Sequence, residues 1–355
     1  MSLDDLRKKI DEADTKIVKL IADRIRTAEE IGREKRKKGR QIEDAERIKK
    51  VLENVRRVAQ EESLNPEAIE SIYRQIVTVS KSVQGIVVAF QGEIGAFSEE
   101  AAFNFFGPSI AVKPCESLDD VFKAVEQGDV QFGVVPIENS LEGSISRAYD
   151  LLLDSSLMVC GEIELRIVHC LIASPQARLD LITKVYSHPQ ALGQCQAFLR
   201  HLNCELIPTY DTAGSVKMIK EKKITDGGAI ASPRAAEIYG MKIMSREIED
   251  NPNNFTRFFI LAKQDSPPTG DDKTSIVFSV RHRPGALYEF LRELATRNIN
   301  LTKIESRPTR QKPWEYNFYL DFEGHHEDKA PREALEYLRD SSIFVKVLGS
   351  YPKAK

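Results

Sequence analysis

A hydroxyl and a guanidinium stand side by side at Thr256-Arg257, at the mouth of the run Phe258-Phe259-Ile260-Leu261-Ala262. An apolar, aromatic run of this kind reads as a buried strand. Desolvating Arg257 costs several kcal/mol unless it meets an anion. The Thr256 hydroxyl also needs a partner. The pair therefore marks one wall of a site for an anionic, oxygen-rich ligand.

A second polar set lies towards the N-terminus. A first helix is expected from about Asp4 to Lys37, with an apolar stripe of Leu6, Ile10, Ala13, Ile17, Leu20, Ala28 and Ile31. Arg24 falls inside that stripe, and Lys35 lies about three turns further on, pointing the same way. A second helix from about Glu43 holds Asp44 and Arg47 in phase with Val51, Leu52 and Val55. A third has Asn65 as N-cap and Pro66 at its first position. Its inner face runs Ile69, Ile72, Tyr73 and Ile76, then Ser80 and Gln84, one above the other. Arg24, Lys35, Arg47, Ser80 and Gln84 in phase point to a ligand site. The alternative is a coiled-coil dimer with snorkelling cations. Either way the first helix has too little partner in its own chain and is expected to pair with a second copy.

The elements that must position these groups fall into three blocks. At 355 residues and 41% hydrophobic, the chain has room for two or three domains, each with its own core. A net charge of −3 gives no drive towards nucleic acid or membrane. The basic run Arg33 to Arg40 lacks interleaved aromatic residues and reads as a cationic helix end. The five cysteines show no metal spacing and suit a reducing cytoplasm. No segment approaches the roughly 18 apolar residues of a membrane helix.

Residues 1–85 are helical in period. From 86 to 264 short β runs alternate with amphipathic helices: Ile86 to Phe90, Phe132 to Ile137, Val168 to Ala173, Ala229 to Ser232 and Arg257 to Ala262. That is an α/β pattern. Asp265 to Asp272 is a solvated linker by composition. Residues 273–355 then run strand, helix, strand, strand, helix, strand, the ferredoxin-like βαββαβ order.

Three resemblances follow these blocks. Residues 3 to 84 resemble the all-helical chorismate mutase domain, from Leu6-Arg7-Lys8-Lys9-Ile10 through Asp23-Arg24, Gly32-Arg33-Glu34-Lys35 and Asp44-Ala45-Glu46-Arg47 to Ser80 and Gln84. The resemblance implies that Arg7 reaches over from the other protomer, that Arg7, Arg24 and Arg47 bind the two carboxylates, and that Lys35 and Gln84 face the ether oxygen. It also implies no nucleophile, because the rearrangement needs only a held conformer and stabilised charge. One position departs. Ile48 stands where the family usually has the Glu that contacts the ring hydroxyl, leaving Asp44 for that contact. A dimerising domain without mutase activity is the alternative.

Residues 86 to 263 resemble prephenate dehydratase over their whole length. The motifs are Val88-Ala89-Phe90-Gln91-Gly92, Gly95-Ala96-Phe97-Ser98, Pro136-Ile137-Glu138-Asn139-Ser140, Gly143-Ser144-Ile145, Ser187-His188-Pro189-Gln190, Asp211-Thr212-Ala213-Gly214 and Asn254-Phe255-Thr256-Arg257-Phe258. The fold implied is two α/β lobes with a cleft between them, like a bilobed binding protein. Ser98, Ser144 and Thr212 are expected at helix starts, where free N–H groups bind anions. The resemblance makes Thr256 the donor to the departing hydroxyl, with Arg257 on a carboxylate and Glu138 a second acid or a support for Asn139. His188 is either a helix cap or a substrate contact. Plant arogenate dehydratases share these motifs, so prephenate and arogenate both stay open.

The last block resembles an ACT regulatory domain of the phenylalanine-binding kind, through Pro284-Gly285-Ala286-Leu287 and Glu305-Ser306-Arg307-Pro308. Gly285, Ala286 and Leu287 would hold the amino acid beside Glu305, Ser306 and Arg307. The whole is expected to be a bifunctional enzyme, without metal or organic cofactor. It would convert chorismate to prephenate and then to phenylpyruvate, as a homodimer or tetramer inhibited by L-phenylalanine. The competing class is a non-catalytic amino-acid sensor with a bilobed cleft.

Overall fold

The computed structural model describes residues 3–37, 45–62, 64–83, 86–108, 110–281, 283–309 and 315–354. It forms two compact units, Met1–Val87 with Phe106–Ala111, and Val88–Phe105 with Val112–Lys355. Each is described by itself.

The first unit holds α1 (Leu3–Lys37), α2 (Ala45–Glu61) and α3 (Pro66–Val83). The Asn65 side chain accepts from the N–H groups of Glu67 and Ala68, so the expected cap starts α3. Leu52, Val55, Ala59 and Val77 form the buried seam, and Ala28 joins it from α1. The rest of the α1 stripe stays in water: Leu6 is 47% exposed, Ile10 61% and Leu20 67%.

The second unit opens with β1 (Val87–Gln91), α4 (Phe97–Phe106), β2 (Ala111–Cys115), α5 (Leu118–Gln127), β3 (Phe132–Asn139), β4 (Gly143–Ser144), α6 (Ser146–Asp154) and β5 (Met158–Arg166). The chain then leaves to build a second sheet from β6 (Cys170–Ala173), β7 (Lys184–Ser187), α7 (Pro189–Gly193), α8 (Gln196–Leu202), β8 (Glu205–Pro208), α9 (Thr212–Glu221), β9 (Gly227–Ala231), α10 (Pro233–Tyr239) and β10 (Lys242–Ser245). It returns as β11 (Phe255–Ala262), which inserts antiparallel between β3 and β5. The sheet orders are β2-β1-β3-β11-β5, with β4 beside β3, and β10-β6-β9-β7-β8. Two crossings thus join two lobes, and β11 follows the second of them. Phe258, Phe259, Ile260 and Leu261 are each at most 2% exposed, so the aromatic run is core.

The third sheet has β12 (Asp272–Ser279), β13 (Leu301–Pro308), β14 (Tyr316–Glu323) and β15 (Phe344–Pro352) in the order β13-β14-β12-β15. Helices α11 (Ala286–Thr296) and α12 (Lys329–Ser341) cover one face, giving βαββαβ. The segment before it is no free tether, contrary to its composition. Ser266 donates to the Cys160 carbonyl, and its own carbonyl is held by His325. Asp272 is buried and accepts from Thr269 and Gly270. The other face of this sheet packs on the first lobe. Lys346 on β15 donates to the carbonyls of Leu152, Leu153 and Ser155 at the end of α6. Gly349 lies at φ +150 with its hydrogen against the backbone of Val159, where any Cβ would collide.

Candidate active site

Neighbouring residues of a strand point to opposite faces. Thr256 and Arg257 open β11, opposite Asn139 and Glu138 at the end of β3. The structure sends Thr256 with Asn139 one way and Arg257 with Glu138 the other.

On the Thr256 side the hydrogen bonds orient one another. Asn139 Oδ1 accepts from the backbone N–H of Leu141 and Glu142, which fixes its amide. Its Nδ2 therefore donates, its two hydrogens shared among Thr256 Oγ1 at 3.0 Å, Asn254 Oδ1 at 2.7 Å and the Phe255 carbonyl at 3.1 Å. Asn254 must then donate through Nδ2 to Gln194 Oε1, at 2.9 Å. His169 Nε2 lies 3.0 Å from the same oxygen and must carry a hydrogen. Its Nδ1 is left as a bare acceptor, buried and without a hydrogen-bond partner among the described residues. Burial holds this imidazole's pKa below the usual value, partly offset by Gln194. Thr256 is 8% exposed, Asn139 5%, His169 2% and Asn254 0%. Thr256 Oγ1 receives a hydrogen from Asn139, so its own hydrogen is available to an incoming oxygen.

Other elements reach this chain. Phe97, first residue of α4, packs edge-on against His169 at 5.6 Å between ring centres, and the next residue, Ser98, is buried. The loop before α4 meets the start of α9. There Gly92 holds φ +110, and a Cβ would stand 2.8 Å from the Asp211 carboxylate. Asp211 caps α9 through the Gly214 N–H, and Thr212 is the first helical residue. Asp211 is pushed up by burial and by Glu93. Glu93 in turn accepts from Tyr210 and Lys217 of the second lobe. Ser140 fastens the strand ends, donating to the Asn253 carbonyl and accepting from the Phe255 N–H. His188 is the N-cap of α7, where Nδ1 accepts from Gln190 N–H. The cap engages Nδ1 alone.

Sequence reading missed Gln194 and His169 and did not separate Asn254 from its motif. Gln194 lies one helical turn beyond Gln190 and was visible as such. His169 is marked by no motif, and burial and the Gln194 contact alone single it out.

The Arg257 face corrects several expectations. Arg257 holds no free anion site. Nε and Nη2 bind Glu162, Nη1 binds Asp321 at 2.6 Å and Nη2 meets the Tyr351 hydroxyl at 3.0 Å. Burial works against its charge, but the carboxylates outweigh that and hold it more firmly protonated than usual. Lys273 adds a second cation to Glu162. Glu138 pairs with Lys303 at 2.7 Å. Ser144 is not at a helix start: it lies in β4 and donates to Glu305. Arg307 bonds Ser146 and Asp150. Lys303, Glu305 and Arg307 thus face the dehydratase lobe, because alternate residues of β13 share a face. Ser306 points the other way and is exposed. Gly285 begins α11 at φ +82 with no side-chain cap; Ala286 is buried and Leu287 half-buried.

In the helical unit, α1 carries Arg7, Arg24 and Lys35, α2 carries Arg47 and Ile48, and α3 carries Ser80. Arg7 is on the exposed side of α1, and half-buried Arg24 reaches the Ile76 carbonyl. Asp44 and Gln84 lie outside the described residues, as do the side chains of Lys35, Arg47, Ile48 and Ser80.

Asp265, His325 and His326 bring ligand atoms within 4.8 Å of one another. Both His325 nitrogens are already engaged, by the Ser266 carbonyl and the Glu327 N–H, which leaves that ring no lone pair for a metal. A cavity of 590 Å³ lined by Glu100, Phe103, Arg234 and Arg246 shares no residue with the Thr256 chain.

Family models match in the same order as the blocks: chorismate mutase type II over residues 6–85, prephenate dehydratase over 88–266 and the ACT domain over 274–340. The bifunctional chorismate mutase/prephenate dehydratase of Stutzerimonas stutzeri is 40% identical over 98% of this chain and 97% of its own. That of Aquifex aeolicus is 41% identical over 99% and 98%. Among solved structures, the prephenate dehydratase of Arthrobacter aurescens in complex with L-Phe superposes with a TM-score of 0.70. It is 31% identical and covers 76% of this chain and 90% of its own.

Proposed function

This chain belongs to the family of bifunctional chorismate mutase/prephenate dehydratases, and from that premise we propose how its residues divide the work. The enzyme rearranges chorismate to prephenate, converts prephenate to phenylpyruvate, and is feedback-inhibited by L-phenylalanine through its ACT domain.

In the dehydratase, Thr256 donates its hydroxyl hydrogen to the leaving ring oxygen while carbon dioxide departs and the ring becomes aromatic. The observation that carries this reading is the oriented Asn139–Thr256 bond, which fixes the oxygen and frees its hydrogen. A neutral hydroxyl is a weak acid, so its work is to stabilise charge on the departing oxygen. The starts of α4 and α9, with Ser98 and Thr212, supply N–H groups for the carboxylates. In the mutase, Arg24 and Arg47, with Arg7 from a second copy, hold the carboxylates; Lys35 and Gln84 face the ether oxygen and Asp44 the ring hydroxyl. The exposed α1 stripe supports a homodimer in which that copy is present. The five free thiols support a cytoplasmic setting. Among the described residues no helix is long and apolar enough to cross a membrane.

Turnover of chorismate, prephenate and arogenate by the purified chain, with and without phenylalanine, tests this. Chorismate and prephenate should both be consumed, and phenylalanine should slow the second step. Consumption of arogenate alone would move the chain to the arogenate enzymes. No turnover with retained amino-acid binding would make it a sensor.

A further inference from the structure

Four charges at the junction of the first lobe and the ACT sheet form a matched lattice. Glu138 and Arg257 are register partners across β3 and β11. Lys303 and Asp321 are register partners across β13 and β14. The two pairs meet with opposite signs, Glu138 on Lys303 at 2.7 Å and Arg257 on Asp321 at 2.6 Å. Three of the four side chains are nearly dry, at 11% for Arg257, 7% for Asp321 and 13% for Lys303. Each dehydratase member adjoins a cleft residue in its own strand, Glu138 beside Asn139 and Arg257 beside Thr256. Lys303 also contacts Ser144 and Glu305, and so touches the Glu305-Ser306-Arg307 segment.

We propose that this lattice is the route by which the ACT domain sets the geometry of the Asn139–Thr256 pair, with Glu138, Lys303, Arg257 and Asp321 as positioning residues. A strand is stiff along its length, and neighbouring side chains share one backbone. A shift of β13 or β14 on effector binding pulls Glu138 and Arg257, and each carries its cleft neighbour with it. Register partnership on both sides makes the two pulls act together. An effector can act on turnover only through such a difference in contacts between two states. This inference rests on Thr256 acting at the leaving oxygen and on phenylalanine binding the ACT domain.

Arg257 and Asp321 are too buried for clean variants, so the test uses Glu138 and Lys303. Phenylalanine affinity is read by calorimetry, and dehydratase kcat and KM with and without phenylalanine, for Lys303→Met, Glu138→Gln, the double variant and Lys303→Arg. Each single change should cut the phenylalanine effect on turnover about fivefold or more while phenylalanine still binds. The double variant should lose no more than either single one, and Lys303→Arg should keep the effect. Unchanged inhibition, or additive losses, would overturn the proposal. Loss of phenylalanine binding would overturn it too, since the pair would then belong to the effector site. If the wild type binds no phenylalanine, the effector reading fails by itself. The lattice is then judged on kcat: it stands if the single variants lower kcat non-additively at unchanged KM, and falls if kcat does not move.

Discussion

At the scale of residues, the account turns on which way each polar group faces. Thr256 and Arg257 share a motif but cannot share a cleft, because a strand sends neighbours to opposite sides. Sequence reasoning placed both on the ligand, since Arg257's partner Asp321 lies 64 positions away and a buried guanidinium looks the same whichever anion it meets. Arg257→Met would leave Asp321 buried without a cation and Glu162 with Lys273 alone, and should cost about 3–5 kcal/mol of stability in a urea titration. A loss under about 1 kcal/mol would mean that the cluster is wetter than its burial implies. His169 gives a pH prediction. Its folded pKa is lowered, so the unfolded chain takes up a proton that the fold refuses. Its contribution is intact above the unfolded pKa of about 6.5 and is lost as pH falls below it. His169→Gln should flatten the decline in urea midpoint between pH 7 and pH 5.

At the scale of elements, what was legible followed local rules. The capped start of α3, the apolar run of β11 and the βαββαβ order all rest on signals within a few residues. The illegible parts depend on long-range contact. Asp265 to Asp272 is polar enough for a tether, yet partners on β5 and β15, and His325 just past β14, pin it. Ser144 is expected at a helix start and lies two residues before α6, but pairs with β3 as a short strand. Gly349 has no local signature, although its place against Val159 decides how closely β15 approaches β5. Gly349→Val should push the two apart. The expected readout is proteolysis between residues 262 and 272 at a rate that the parent chain does not show. Unchanged resistance would mean that the junction absorbs the side chain elsewhere.

At the scale of the whole molecule, the order of the three blocks matches an order of chemistry. A mutase makes prephenate, a dehydratase consumes it, and an amino-acid-binding domain is joined to the catalytic strands. The mutase block has a large apolar stripe still exposed on α1, so its site is expected to need a second copy. Ile10→Lys with Ile17→Lys should lower chorismate turnover about tenfold or more, because Arg7 would no longer reach across. Dehydratase turnover should persist in the same variant. Chorismate turnover that survives in a monomer, sized by sedimentation, would contradict the shared site.

The central claim is that one hydroxyl, held by Asn139, carries the dehydration. Thr256→Ala and Thr256→Ser in the full chain, assayed from chorismate to phenylpyruvate, test it most directly. The Ala variant should lose about a hundredfold or more of dehydratase kcat while still consuming chorismate, so that prephenate accumulates, and the Ser variant should keep most of the rate. Phenylpyruvate formed by the Ala variant at close to the parent rate would contradict the account.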